Sequence, residues 1–449
     1  MMKNLRLKST IALSLALSAC SLAPQYQRPQ MTMPAGWTEV DGVGVSDHPA
    51  TVPFWQELGS EELNQIMKIA LAQNLDLEAA LHRIDQARAQ TKIAGSALFP
   101  QIEATGGASR SFQDPRNVSI ARGTGSISYE ADLWGRNRSN RTAANYRAEA
   151  TAFDRDALQL VVTSDTADLY SQVLSLNERI RIAESNLKNA EEVLRIIEAR
   201  YKAGSVSGLE VSQQRVAVNN FRASLASLNQ QRSTTLNALA ILLGQAPQNL
   251  QAPRETLASL KVPDVNLTPP ATLLTARPDI ERAEASLRAA NADIGAARAA
   301  FFPSLNFGLD ASIAAGFGGP AATVVSLASS ALAPIFTGGR LTGNLEDVTA
   351  RQKELAAQYQ KTVLVAFQEV EDALAAYKNS NEQSVIARES VKESQAAYDI
   401  AKARFDAGAI DYLNLLVTQR SLYEAQDNQI AVYQDQIASF VQLRKALGA

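Results

Sequence analysis

The chain repeats itself. Arg200-Tyr201-Lys202-Ala203-Gly204 returns as Arg404-Phe405-Asp406-Ala407-Gly408, Leu243-Gly244 as Leu447-Gly448, and Gly135-Arg136 as Gly339-Arg340, each pair 204 positions apart. Upstream, Phe99-Pro100 matches Phe302-Pro303, and Asn74-Leu75-Asp76-Leu77 matches Arg277-Pro278-Asp279-Ile280, both at a spacing of 203. Spacing this constant between matches this dispersed does not come from shared composition, and the period is too long for a solenoid. The chain is therefore a duplicated half-molecule, and whatever one half builds the other builds again.

Each half carries the same order of elements. A helix is expected over roughly 76–98 and 278–301, with Pro278 suited to a first helical turn. Pro100 and Pro303 stop these helices. Two strands follow in each half, about 101–112 and 123–134 in the first and about 304–315 and 322–336 in the second, where residue types alternate with period two. Ile127, Tyr129, Ala131 and Leu133 alternate with Ser126, Ser128, Glu130 and Asp132, and Leu305, Phe307, Leu309, Ala311 and Ile313 with Asn306, Gly308, Asp310 and Ser312. Such strands have one face in an apolar medium and one in water. Residues 113–122 and 314–321 read as turns. The strand near 323–336 is assigned by symmetry more than by pattern.

Two proline-free helices come next, about 135–201 and 339–405, each on the order of 100 Å long at 1.5 Å per residue. Leu169, Val173, Leu176, Ile180, Ala183, Leu187, Ala190, Leu194, Ile197 and Tyr201 keep a 4-3 spacing, and Val391, Ser394, Tyr398, Ala401 and Phe405 hold the same register. That is coiled-coil packing against another helix. Gly204 and Gly408 end these helices, and return helices over about 209–243 and 413–447 complete a hairpin in each half. The domains expected are thus a first structural repeat over 61–244, an equatorial linker over 245–277 and a second repeat over 278–449.

The N-terminus reads as a sorting signal over residues 1–19. Lys3, Arg6 and Lys8 precede the apolar run Ile11 to Leu17, which is too short to span a bilayer. Leu17-Ser18-Ala19-Cys20 resembles the bacterial lipobox, in which the cysteine becomes the first mature residue and carries lipid on its thiol. Cys20 is the expected lipid attachment site, 20–60 an extended lipid-anchored segment, and Ser21, where such lipoproteins would carry Asp for inner-membrane retention, favours the outer membrane. No later segment is apolar enough for a transmembrane helix, so a spanning structure has to be a β-barrel.

Composition narrows the functions. A net charge of −3 offers no basic face for nucleic acid. With two histidines, His48 and His82, and a single cysteine, neither a His/Cys metal site nor a cysteine nucleophile is expected. No nucleophile motif or phosphate loop is present, and the helical acids alternate with Lys and Arg as solvated faces do. The expectation is no enzyme, no metal and no cofactor. Four strands of about ten residues are long enough to cross a bilayer but cannot close a barrel, and open edges in lipid leave backbone groups unpaired. The chain has to assemble, and three copies give twelve strands with room for an aqueous lumen.

The layout resembles the TolC-like outer membrane factors, in particular the NodT-type lipoprotein subfamily of resistance-nodulation-division efflux systems. The resemblance rests on the lipobox, Arg277-Pro278-Asp279-Ile280 with Ala283-Glu284 following, Ala299-Ala300-Phe301-Phe302-Pro303, Phe336-Thr337-Gly338-Gly339-Arg340 and Leu415-Leu416-Val417-Thr418-Gln419-Arg420-Ser421-Leu422. It implies an α+β membrane protein: a homotrimer whose twelve-stranded β-barrel is continued by a twelve-helix periplasmic α-barrel, with four strands and long coiled-coil helices from each protomer. It implies a passive exit channel for small molecules in a tripartite efflux pump, lodged in the outer membrane. The partners would be a periplasmic adaptor and an inner-membrane resistance-nodulation-division pump. A duct for type I protein secretion shares the architecture, and only the lipobox leans against it; a structural coiled-coil lipoprotein explains the heptads but not the strands.

In such channels the periplasmic aperture closes on the second return helix, often with a ring of Asp. Here Val417 stands where many lipoprotein relatives carry that Asp, so an anionic ring is not given at that level, and closure by an acidic ring or by an apolar one through dewetting and packing both stay open. Asp411 and Asn414 are the polar candidates nearer the tip, and Arg420 follows Val417. For Asp411 a helix N-cap is the competing expectation and the one its residue type favours; Arg420 suits a neighbouring helix or plain solvation equally. Gly204, Ser205, Gly408 and Ala409 are the candidate adaptor-docking tips, with backbone geometry an equal reason for the glycines. Trp37, Phe54 and Trp55 are expected to pack the N-terminal segment on the belt, and Tyr129 and Trp134 to sit at the membrane interface.

Overall fold

A computed structural model describes residues 22–38, 44–45, 52–113, 116–316 and 320–449, the side chains of 44, 45, 113 and 116–118 aside. In chain order the helices are α1 (Phe54–Glu57), α2 (Glu61–Gln73), α3 (Leu75–Ser96), α4 (Arg136–Lys202), α5 (Gly208–Leu242), α6 (Leu273–Ala276), α7 (Pro278–Ala299), α8 (Arg340–Asp406) and α9 (Tyr412–Leu447). The strands are β1 (Gly44–Val45), β2 (Gln101–Gln113), β3 (Arg116–Ala131), β4 (Asn266–Leu267), β5 (Ser304–Gly316) and β6 (Ala321–Leu332). The chain divides into two compact units, one of Met1–Met31, Leu81–Asp154 and Asp279–Thr362, the other of Thr32–Ala80, Arg155–Pro278 and Val363–Ala449. Each unit draws on both sequence repeats, so the repeats are not the compact units.

The first unit holds a four-stranded antiparallel sheet in the order β2-β3-β5-β6. Its register sorts residues by chemistry. Ile102, Ile127, Leu309 and Leu327 lie in one cross-strand row, and Glu103, Ser126, Asp310 and Ser326 in the next, on the opposite face. On β5 the apolar face is the open one: Phe307, Leu309 and Ile313 are exposed while Asp310 and Ser312 are half-covered. Apolar side chains left outward in this way have no water-based rationale.

The strand ends correct the sequence reading at three places. Residues 116–122, expected as turn, are strand, because they satisfy the backbone of β2 out to Gln113. β3 stops at Ala131 instead of 134, because Asp132 turns back to cap α4, accepting from the backbone N–H of Asn137 at 3.0 Å and of Arg138 at 2.9 Å. β6 stops at Leu332 instead of 336, where Pro334 supplies no donor and the strand has a neighbour on one side only.

In the same unit the segment from Leu22 is strapped to α7. Asn291 Nδ2 donates to Pro24 O at 2.7 Å, Arg298 Nη1 to Leu22 O at 3.3 Å, and Gly295 leaves room for Ala23. Glu284 is the clamp: its buried carboxylate meets Arg28 at 2.6 Å, Arg288 at 2.7 Å and the Tyr26 hydroxyl at 3.3 Å. Burial works to raise its pKa, but the hydrogen bonds and charges of Arg28 and Arg288 outweigh it and hold the carboxyl below its ordinary value. Tyr26 is pushed up to about 12, by burial first and then by Glu284.

The second unit is helical. The buried register on α4 runs through Val173, Leu176, Ile180, Ala183, Ala190 and Ile197, whereas Tyr201 at its end is exposed, past the last turn that packs. Near the helix ends Val193, Ile197, Val211, Tyr398, Ala401, Phe405, Tyr412, Leu415 and Leu422 form one cluster drawn from all four long helices. Polar ties fix the helices against each other: Arg179 makes a two-pronged pair with Asp427 at 2.7 and 2.9 Å, and Gln214, bonded to Tyr412, donates to Ala190 O at 2.7 Å. Helix α2 has no counterpart among the expected elements, which begin at about residue 76; Asn74 divides it from α3, its Oδ1 accepting from the backbone of Asp76 and Leu77 at 3.0 Å.

Residues 245–277, expected as linker, contain short helical turns, α6 and β4, which pairs in parallel with β1. Trp37 donates to Thr268 O at 2.8 Å and meets Phe367 edge-on, while Phe54 is buried in α1 with Trp55 edge-on beside it. The Tyr170 hydroxyl reaches Glu62 at 3.1 Å and Glu255 at 3.2 Å. Burial drives that phenol's pKa well up, and Glu62 and Glu255 add to the rise. Arg277 donates to Ala446 O at 2.9 Å and to Glu369 at 2.6 Å, and Arg444 pairs with Glu57.

Two glycines at equivalent places, Gly244 and Gly448, have φ of 65° and 81°. A Cβ would fall 2.1 Å from Gln73 O at the first and 2.5 Å from Ala276 O at the second. Gly448→Ala is therefore expected to destabilise the protein by about 1–3 kcal/mol through strain and contact together. Gly343→Ala, in a helix with open space around it, is expected to be neutral or stabilising. Thermal unfolding in detergent checks both, and equal midpoints for the two variants would contradict the contact. For the strap the sign follows from the depressed Glu284 pKa. Its stabilisation is full above the ordinary carboxyl range, near pH 4.5, and is lost as pH falls through the depressed value. Amide exchange in residues 22–30 should speed up in that acid window in the native protein and at neutral pH in Glu284→Gln.

Candidate functional site

The candidate site is distributed over the N-terminal segment, the sheet, the hairpin tips and the start of α9. Cys20 lies outside the described residues. The strap begins two residues later at Leu22, its carbonyl already held by Arg298.

The sheet supplies a polar face. Besides the row of Glu103 and Asp310, it carries Arg122, in the row with Gly107 and Ala314, and Glu130, in the row with Asn306. Glu130 is neutralised by Arg136 at 2.5 Å. Among the described residues no group of three His, Cys, Asp or Glu is placed to hold a metal, and no helix is long and apolar enough to cross a membrane. Trp134 is not free for an interfacial role alone: it stacks on Phe302 with centroids 4.8 Å apart and donates to Pro303 O at 2.7 Å.

At the hairpin tips the backbone turns back through Gly204 and Gly408, with φ of 73° and 74°. Ser205 N donates to Arg200 O at 2.9 Å and Ala409 N to Arg404 O at 2.8 Å, so both tips close their helices with the same C-terminal motif. Ser207 and Glu210 form a capping box that starts α5. One tip residue was missed: Arg200 lies over the Phe405 ring at 4.5 Å and donates to Phe405 O at 3.3 Å, joining the first tip to the second. The signal was in the sequence, since Arg200 and Phe405 belong to the repeated pentapeptides.

The residues proposed for the aperture divide by chemistry. Asp411 is the N-cap of α9, accepting from Asn414 N at 3.0 Å and Asn414 Nδ2 at 2.7 Å. Arg420 pairs along its own helix with Glu424 at 2.7 Å, both side chains well exposed, so the pair stabilises little. Val417 is 56 % exposed and one turn from Leu413, also 56 % exposed. The two form a bare apolar stripe beside the buried Tyr412 and Leu415; Leu413 was missed, although its four-residue spacing from Val417 was readable.

Comparison with known proteins gives these parts a context. The model of the outer membrane efflux protein family matches twice, over residues 66–245 and 270–449. The pyoverdine export outer membrane protein OpmQ of Pseudomonas aeruginosa is 38 % identical, covering 100 % of this chain and 97 % of the relative. Among solved structures, the Campylobacter jejuni CmeC outer membrane channel is similar with a TM-score of 0.88 and 25 % identity, over 96 % of this chain and 95 % of that one. The open state of the Neisseria gonorrhoeae MtrE outer membrane channel is similar with a TM-score of 0.83 and 27 % identity, over 96 % and 98 %. A bilayer-length sheet with one apolar and one polar face, paired helical hairpins and a doubled family match are the parts of a channel protein, not of an enzyme, and the chain belongs to the outer membrane efflux protein family.

Proposed function

We propose that three copies of this chain form the outer-membrane exit duct of a tripartite pump, passing small molecules from periplasm to exterior. One observation carries the reading: a four-stranded sheet, apolar on one face and polar on the other, whose two edge strands are each paired on one side only among the described residues. In lipid those edges have to be paired, and twelve strands leave room for water inside. Lipid on Cys20 would tether each copy, with the strap from Leu22 carrying the tether to α7. The tips at Gly204, Ser205, Gly408 and Ala409 meet a periplasmic adaptor, and a resistance-nodulation-division pump supplies the energy. The duct itself uses no cofactor.

The resting aperture closes on apolar side chains. Val417 and Leu413 offer the exposed surface for it, while the Asp411 carboxylate is engaged as a cap. Apolar constrictions close by dewetting and packing. Val417→Asp would set three carboxylates at one level, where they repel. The expected outcome is stepwise conductance from the purified protein in planar bilayers, larger in Val417→Asp. Deleting the gene should lower tolerance to drugs and solvents, and the wild-type gene should restore it. A monomer without conductance would overturn the duct, and unchanged conductance in Val417→Asp would overturn the apolar aperture.

A further inference from the structure

Within the second unit, α4, α8, α9 and the linker turn at Leu257 line a cavity of about 550 Å³. Leu257 and Ile430 are buried and give it apolar walls. Tyr433 is half-buried, its ring steadied by the hydroxyl, which donates to Leu260 O at 2.6 Å. Small-molecule sites run from roughly 300 to 1,000 Å³ and combine apolar walls with a few placed polar groups. The size and the walls therefore suit a ligand.

The polar groups give the cavity a sign. Glu178 and Arg181, both on its wall, neutralise each other at 2.5 Å. Arg388 has no carboxylate partner among the described residues; its Nε donates to Ser384 O, one turn back on the same helix, at 3.3 Å. Its charge is felt inside: burial raises the pKa of the Tyr433 phenol, and Arg388 works against that rise. Ser384 is only 8 % exposed, and its hydroxyl makes no hydrogen bond among the described residues. The net balance is one positive charge beside an apolar pocket.

The duplication shows that this opening is not a by-product of the helical frame. In the first repeat Ile180 and Leu225 pack with Leu176 and Leu228 in an apolar cluster. At a spacing of 204 stand Ser384 and Gln429, both lining the cavity, and Arg388 takes the place of Glu184. Where one half has a packed isoleucine, the other has a small hydroxyl, and the charge one turn further on has the opposite sign.

We propose that this cavity binds a small amphipathic organic anion, a carboxylate or sulfonate on a compact apolar body. The body lies against Leu257, Ile430 and Tyr433. The Arg388 guanidinium meets the anionic end, and the Ser384 hydroxyl donates to it. None of these residues belongs to the candidate aperture or tips, so the site goes beyond conduction. A bound anion ties the linker to α8 and α9, and a ligand held only by the folded state stabilises that state.

Titration calorimetry on the full chain in lipid nanodiscs, with empty nanodiscs subtracted, tests the site. The probe is naphthalenesulfonate, and naphthylmethylammonium is its cationic counterpart. The sulfonate should bind saturably, one per chain, and the ammonium should not. Arg388→Gln should weaken the sulfonate on the order of tenfold, the size of one charge-assisted hydrogen bond. Arg388→Glu, which installs the charge of the first repeat, should abolish sulfonate binding and admit the ammonium. Ser384→Ile, which installs the side chain of the first repeat, should exclude the sulfonate by filling the space. Lys392→Gln removes an exposed cation of the same helix, paired with Glu389, and should leave binding unchanged. No saturable heat from the sulfonate up to its solubility limit, equal binding of the two probes, or undiminished binding in Arg388→Glu overturns the proposal. Arg388 is exposed, so its variants decide the matter even where Ser384→Ile fails to fold.

Discussion

Backbone hydrogen bonds that have nowhere to go govern this molecule. The outward N–H and C=O groups of β2 and β6 are acceptable in water and cost several kcal/mol each in hydrocarbon. The outer face of the sheet, with Ile102, Leu309 and Leu327 in one row, is suited to hydrocarbon and not to water. A chain with that face and those edges is incomplete alone. Its helices follow the same logic: narrow apolar stripes, such as the one from Val173 to Ile197, are covered in pairs and leave long polar flanks.

Duplication supplied the architecture and then diverged where the two copies meet different surroundings. Glycines at the helix ends stayed, because Gly244 and Gly448 each sit against a carbonyl that excludes a side chain. The helix starts did not. Asn74 caps α3 with its own amide oxygen, whereas at the matching place Arg277 and Pro278 begin α7, and Arg277 reaches back to Ala446 O and Glu369. The linkers into the long helices diverged most: Asp132 and Trp134 are fully engaged within the chain, Ile335 and Phe336 bare.

Much of this was legible because it follows from local periodicity. The 4-3 spacing on α4, the alternation on β5 and the repeated glycines each have one physical reading. What was not legible depends on tertiary partners. The start of β3 at Arg116 needs β2 beside it, since the short Val118-Ser119-Ile120 alternation is out of phase with that of Ile127, Tyr129 and Ala131. The end of β6 turns on a missing neighbour and a proline. Asp411 offered two roles from sequence, and only the position of Asn414 showed which bond its carboxylate makes. The clamp at Glu284 joins residues more than 250 positions apart, through the Arg28 and Tyr26 side chains, and no spacing rule reaches that far.

The guanidinium of Arg200 over the Phe405 ring has a mechanical consequence. It is a flat, fixed cation stacked on an aromatic face and bonded to that residue's own carbonyl, so the bends at Gly204 and Gly408 are yoked. A force that draws the second hairpin aside drags the first along or has to peel a cation from its ring. The yoke thus couples any displacement of one bend to the other, adding to the hold of the apolar cluster that the four long helices share.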